Sequence, residues 1–307
     1  MHGWRARIVL LGLLVATVTG MVWLLRPSVF SGVVSRPVLE AAAIPEDREG
    51  ERERGDNDQG RPEAAEVPQP DETLQDPRLY LVLDDAGHDL DDLRRFVQFP
   101  GVATVAVLPG LEYSREAAQM VIALGHEAIL HQPMEASGGN DPGPGAIFVS
   151  HSDPLIRQTL TSNLSSMPGV VGVNNHMGSL ATADDRVMAT VAQTLRRHRL
   201  FFLDSRTTHL SVAADTTREI GVPTVVRDVF LDNVREDEAI SEQLDQGLAI
   251  ARERGHAVMI GHVTSPELAR VLIDRYSELD AAGFVFRPLS DLINGEREQL
   301  YYADSGN

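Results

Sequence analysis

The sequence predicts an α/β fold, a parallel sheet wrapped as a (β/α) barrel of seven or eight units, between about Pro77 and Asn294. Two observations predict it. Short apolar runs alternate with amphipathic helical stretches, the pattern of parallel strands joined by crossover helices. Nearly every apolar run also ends in a residue capable of chemistry. Barrels of this kind gather such residues at the strand C-termini around one mouth, which favours a barrel over an open, doubly wound sheet.

Taken in order, LYLVL (79–83) leads to Asp84 and Asp85, VATVAVL (102–108) to Pro109, and EAIL (127–130) to His131. VVGV (170–173) leads to Asn174, Asn175 and His176, and LFFL (200–203) to Asp204. TVV (224–226) is followed by Arg227 and Asp228, AVMI (257–260) by His262 after one glycine, and FVF (284–286) is the last run. Amphipathic stretches such as 112–124, 153–167, 184–199 and 236–254 lie between them. The segment DPGPG (141–145) reads as a rigid loop over the mouth that supplies shape rather than chemistry.

Two further segments precede this domain, which is expected to occupy residues 77–307. IVLLGLLVATVTGMVWLL (8–25) is uncharged and mostly apolar. As a helix it would extend about 27 Å, close to one hydrocarbon thickness. Arg5 and Arg7 come before it, so residues 1–26 are expected to be a membrane anchor, or a signal segment, with the following chain exported to the periplasmic side of a bacterial inner membrane. Residues 27–76 read as a disordered, acidic, Pro-rich linker. Between 40 and 76 thirteen acids face four Arg, a net charge of -9 out of the whole chain's -18. About fifty flexible residues give a tether of roughly 40 Å.

Composition narrows the chemistry. The chain has no Cys, and all 27 of its Lys+Arg positions are Arg. Thiolate nucleophiles, disulfides, Cys-ligated metals, Schiff bases and a P-loop lysine are therefore excluded. The acidic balance offers no basic stripe for phosphates, so no nucleic-acid partner is expected. Carboxylates, imidazoles or an oxygen- and nitrogen-ligated metal remain.

Of the ten His, His126 and His256 precede strands and fall at the opposite face, His2 is in the leader, His198 ends a helix, and His88, His151 and His209 are in loops. His131, His176 and His262 are left at strand C-termini beside the Asp84-Asp85 pair. Two imidazoles and a carboxylate are a familiar ligand set for zinc or another borderline divalent ion. Two adjacent carboxylates in one apolar cleft would drive one to protonate unless a cation shares the site. The competing reading of LDDAG makes one of these Asp a helix N-cap.

At these residues the sequence resembles a known family. LVLDDAG (81–87), TVAVLP (104–109), GHEAILHQPME (125–135), NDPGPGA (140–146), GVNNHMGS (172–179), FFLDSRT (201–207), RDVFLDN (227–233) and MIGH (259–262) look, in this order, like the divergent polysaccharide deacetylases, a branch of the NodB homology superfamily. The resemblance implies a distorted (β/α) barrel and metal-dependent hydrolysis of N-acetyl or O-acetyl groups from cell-envelope sugars. It makes Asp84 the catalytic base, Asp85 a metal ligand, His131 a second ligand, His262 the general acid, and Asp204 an acid that adjusts the electrostatics of the catalytic pair. The superfamily's second metal-binding His falls on Glu135 here, and its Arg-Pro motif is missing. His176, from the next strand end, could supply the third ligand, with Glu135 as the competitor.

The expectation is a membrane-anchored hydrolase acting on an acetylated envelope glycan. One divalent metal, zinc by ligand type, would sit on Asp85, His131 and His176 and polarise the acetyl carbonyl. Asp84 would take the proton of the attacking water, and His262 would protonate the leaving amine or alkoxide. The alternative is a catalytically silent envelope protein that keeps the barrel and binds metal or glycan.

Overall fold

The computed structural model describes residues 76–295. The predicted anchor, and all of the predicted linker but Asp76, lie outside the described residues. Among those, no helix is long and apolar enough to cross a membrane.

The chain alternates β1 (Arg78–Ala86), α1 (Leu90–Arg94), β2 (Thr104–Val107), α2 (Ser114–Ala123), β3 (Glu127–Met134), α3 (Asp153–Ser166), β4 (Gly172–Met177), α4 (Asp185–His198) and β5 (Phe201–Asp204). It continues with α5 (Ala213–Glu219), β6 (Thr224–Val226), β7 (Val229–Phe230), α6 (Asp237–Arg254), β8 (His256–His262), α7 (Pro266–Ala281) and β9 (Val285–Phe286). The strands form one sheet in the order β6-β5-β4-β3-β2-β1-β8-β7, with every pairing parallel. β9 pairs with the start of β1, and β2 pairs with its end from Val82 onward.

The expected barrel is a curled parallel sheet without a continuous closing ladder. Its two terminal strands, β6 and β7, are consecutive in the chain and separated only by Arg227 and Asp228. A single interrupted segment therefore pairs first with β5 and then with β8. The sequence reading took TVV as one strand and missed β7.

Strand residues are apolar on both faces because both are covered. Leu79, Leu81 and Leu83 of β1 belong to the layer that packs with the helices, alongside Leu160, Val191, Leu244 and Leu272. Tyr80 and Val82 alternate with them and meet Ala106, Ile129, Leu203, Val258 and Ile260 in the interior of the curl. Leu289, Leu292 and Ile293 join this interior cluster from beyond β9. Each such side chain contributes roughly 1.5–3 kcal/mol on full burial.

The same alternation delivers the polar ends. Extended along the interior row, β1 reaches Asp84, β3 reaches His131 after Ile129, and β8 reaches His262 after Ile260. On β5 the interior row of Phe201 and Leu203 leads to Ser205, and Asp204 shares the parity of Phe202, which belongs to the other layer.

Candidate active site

Two neighbouring carboxylates on a regular strand would point to opposite faces. Here the register of β1 against β2 shifts by one residue, from Leu83↔Val105 to Ala86↔Val107, and Asp85 takes a left-handed backbone with φ of 65°. The bulge re-aims Asp85 toward the mouth beside Asp84. A non-glycine residue in that conformation costs about 1–3 kcal/mol, a strain characteristic of functional positions. Neither Asp caps α1, because Asp89 does so, accepting from the Asp91 N–H at 2.9 Å.

Three donor atoms converge at this point. Asp85 Oδ1 lies 3.2 Å from His131 Nε2 and 3.0 Å from His176 Nδ1, and the two imidazole nitrogens are 3.2 Å apart. Asp85 Oδ1 is buried and takes no hydrogen bond among the described residues, the two imidazole nitrogens being its near neighbours. An orphaned carboxylate oxygen is costly unless a cation satisfies it. The mutual spacings approach the edge of a tetrahedron whose centre is about 2.0–2.2 Å from each corner, the bond length of zinc to nitrogen or oxygen. Residue types and geometry thus fit a divalent metal on Asp85, His131 and His176. Burial would push the Asp85 carboxyl up, but the two imidazoles outweigh it and hold it well below the usual carboxylate range. Burial likewise opposes charge on His131, yet Asp84 and Asp85 beside it push its pKa up to about 8. A field that favours a proton on this imidazole also favours a metal cation.

Asn174, fully buried on β4, ties the cluster to its neighbour. Its Nδ2 donates to Asp84 Oδ1 at 2.9 Å and to Ser205 Oγ at 3.2 Å, which turns its Oδ1 toward His131 Nδ1 at 2.8 Å. His131 must then donate from Nδ1, leaving the Nε2 lone pair of its neutral form facing Asp85. Burial raises the Asp84 carboxyl, against the opposing charge of His131, which makes it a stronger base than an exposed Asp.

His262 faces the cluster from β8. Its Nε2 is 3.9 Å from Asp85 Oδ2, and its Nδ1 is 3.0 Å from Asp232 Oδ1. Asp232 Oδ2 also accepts the His262 backbone N–H at 3.0 Å. Burial disfavours the imidazolium, but the hydrogen bond and charge of Asp232 outweigh it, so the His262 pKa is raised. The edge of this ring packs on Phe230, 5.2 Å between centroids.

The structure therefore brings Asp84, Asp85, His131, His176 and His262 together. Glu135 stands apart from the three donors: its Oε2 accepts from the Val149 N–H at 2.7 Å, fastening the end of β3 to the following loop. Asp204 is buried with its carboxylate bonded to the Arg206 N–H at 2.8 Å and the Ser211 hydroxyl at 2.8 Å. Those bonds shape the loop after β5, and the acid hydrogen-bonded to His262 is Asp232. Sequence reasoning gave no role to Asn174 or Asp232. Parity with His176 could have flagged the first, and the second lies within RDVFLDN.

A family model described as divergent polysaccharide deacetylase matches residues 81–293. The chain belongs to the divergent polysaccharide deacetylase family. Two relatives described as uncharacterized proteins match it: one of Haemophilus influenzae, 32% identical over 185 residues, and YibQ of Escherichia coli, 33% identical over 195 residues. The matches cover 60% and 64% of this chain, and 66% and 61% of those relatives. An uncharacterized protein of Agrobacterium tumefaciens shares the fold, with a TM-score of 0.68, 22% identity, and coverage of 71% of this chain and 89% of that one. The deacetylase match spans β1 through the interior residues after β9, so every side chain of the mouth described above falls within it.

Proposed function

We propose that this deacetylase-family chain is a metal-dependent hydrolase that removes acetyl groups, from an amide or an ester, on a cell-envelope carbohydrate. The observation that carries the reading is the orphaned Asp85 Oδ1 between His131 and His176, with Asp84 held beside it and His262 facing it. When bound there, a divalent cation, zinc by its ligands, supplies Lewis acidity to an acyl oxygen and makes water a stronger acid. Asp84 takes the proton of the attacking water, oriented for it by Asn174. His262, whose Nδ1–H Asp232 accepts and whose imidazolium Asp232 favours, gives the Nε2 proton of that imidazolium to the departing amine or alkoxide as the acyl carbon–heteroatom bond breaks.

His176 completes a three-donor set without Glu135, so the Glu at the position of the superfamily's second histidine does not by itself remove the metal site. The apolar segment 8–25 supports a place on the periplasmic side of the inner membrane, held by its anchor or released if that leader is cleaved. Protease accessibility in spheroplasts tests the location. Acetate release from acetylated amino-sugar oligomers by the full chain, with zinc quantified in the same sample, tests the activity. Metal and glycan bound with no acetate released over a broad panel would leave the binding protein as the better account.

A further inference from the structure

A cavity of about 170 Å³ is lined by Leu108, Pro109, Leu111, Pro133, Pro142 and Pro144 together with the polar His88, Asp141 and His176. Its walls are built in. The prolyl loop is clamped by two buried amides: Gln132 Nε2 and Asn163 Nδ2 donate to Gly145 O at 2.9 and 2.8 Å, and Asn163 also donates to Gln132 Oε1 at 2.8 Å. A Cβ on Gly110 would come within 2.8 Å of Pro144, and one on Gly145 within 2.4 Å of Asn163, so both flanking loops pack closely at these glycines. Asp141 closes the turn by accepting the Gly143 N–H at 2.9 Å.

The lining decides between occupants. Six of the ten lining residues are proline or leucine, so a sugar ring placed here would find few partners for its hydroxyls beyond His88, Asp141 and His176, and each hydroxyl buried without one costs about 1–3 kcal/mol. An alkyl group needs no such partners. An acetyl methyl is about the size of a water molecule, whose share of volume is about 30 Å³, whereas an apolar cavity of about 150 Å³ takes up benzene. His176 belongs both to this cavity and to the donor cluster, so the cavity adjoins the place where an acyl carbonyl would be held.

We propose that this cavity is an acyl-chain subsite, and that the hydrolysis proposed above extends from acetyl to linear acyl groups of about four to six carbons, with the longer chains favoured. The proposal rests on the hydrolase reading above. The bonds made and broken are unchanged: water oxygen joins the acyl carbon, the bond to amine or alkoxide breaks, and the released acid carries the longer chain.

The test compares kcat/KM of the zinc-loaded full chain on 4-nitrophenyl acetate, butyrate and hexanoate, and binding of acetate and hexanoate by calorimetry. The hexanoyl to acetyl ratio is expected to be about tenfold or more. Leu111→Trp, which fills the cavity, should lower that ratio about tenfold, and hexanoate should bind more tightly than acetate in wild type only. Leu111→Ala, which enlarges the cavity, should move the preference to longer chains and serves if the Trp variant fails to fold. Acyl hydrolysis with no chain-length preference, or with a preference that neither variant moves, overturns the subsite. If no acyl substrate is hydrolysed while hexanoate still binds and Leu111→Trp abolishes that binding, the hydrolase reading falls and the subsite stands. Absence of both hydrolysis and hexanoate binding sinks both.

Discussion

The two ends of the curled sheet each hold a half-buried carboxylate, and they treat it differently. At the end where the strands begin, Glu127 of β3 is bonded by the Thr104 hydroxyl at 2.8 Å and the Ser290 N–H at 3.2 Å, and Leu289, Leu292 and Ile293 pack into the interior nearby. Every partner is supplied by the protein. At the end where the strands finish, Asp85 Oδ1 is buried without a hydrogen bond between two imidazoles, on a strained, bulged backbone. The first arrangement stabilises the fold. The second brings a carboxylate oxygen and two imidazole nitrogens to one point, a set that fits an added cation and that the first lacks.

Breaking the mouth should affect function more than stability, and breaking the other end the reverse. The largest effect is expected for Asp85→Ala, which removes the shared donor. Bound zinc, measured by elemental analysis after gel filtration, should fall to background and hydrolysis with it. Asp84→Asn should cut kcat by about 10²–10⁴-fold, the scale of general-base catalysis, with zinc content unchanged. Wild-type turnover in that variant removes Asp84 from the role. Asn174→Ala loosens both Asp84 and His131, and it should weaken zinc affinity or activity by roughly 10–100-fold, as outer partners of ligating histidines do. Asp232→Asn should lower kcat by about the same range without loss of zinc, because its contact is with His262 and not with the three donors.

The smallest effect lies at the opposite end. Burial raises the Glu127 carboxyl above its ordinary value of 4.5, against the hydrogen bonds of Ser290 and Thr104. A raised folded-state pKa means the stabilising form is the protonated one. Its contribution is full below 4.5 and is lost as pH climbs through the folded value. Glu127→Gln cannot ionise, so its Tm relative to wild type should improve by a few degrees between pH 4 and pH 7, with hydrolysis unaffected. A Tm difference that stays flat with pH would show that ionisation of Glu127 carries no cost.

Much of this was legible in the chain. Apolar runs at 79–83, 127–130 and 257–260 place β1, β3 and β8, and the polar residues just beyond them place Asp84, His131 and His262 at one mouth. Strand parity is a local property, so it can be read locally. Three things could not be read. Asp85 joins Asp84 only because a bulge breaks that parity, and a bulge depends on the neighbouring strand. Which acid bonds His262 is likewise not local: Asp204 lies on the outward row of β5, held by Arg206 and Ser211, and Asp232 after β7 stands beside His262. The choice between Glu135 and His176 turned on where each carboxylate or ring finds a partner across strands.

By itself the sequence determined the fold class, the end of the sheet that carries chemistry, and the residue types available to a site without Cys or Lys. Periodicity and composition suffice for those, because they follow from the chain's own alternation and inventory. The tertiary structure decided which donors share a point, which acid serves which histidine, and that a proline-walled cavity adjoins the donor cluster. These depend on register, backbone strain and packing between segments distant in the chain, and no local pattern encodes such relations.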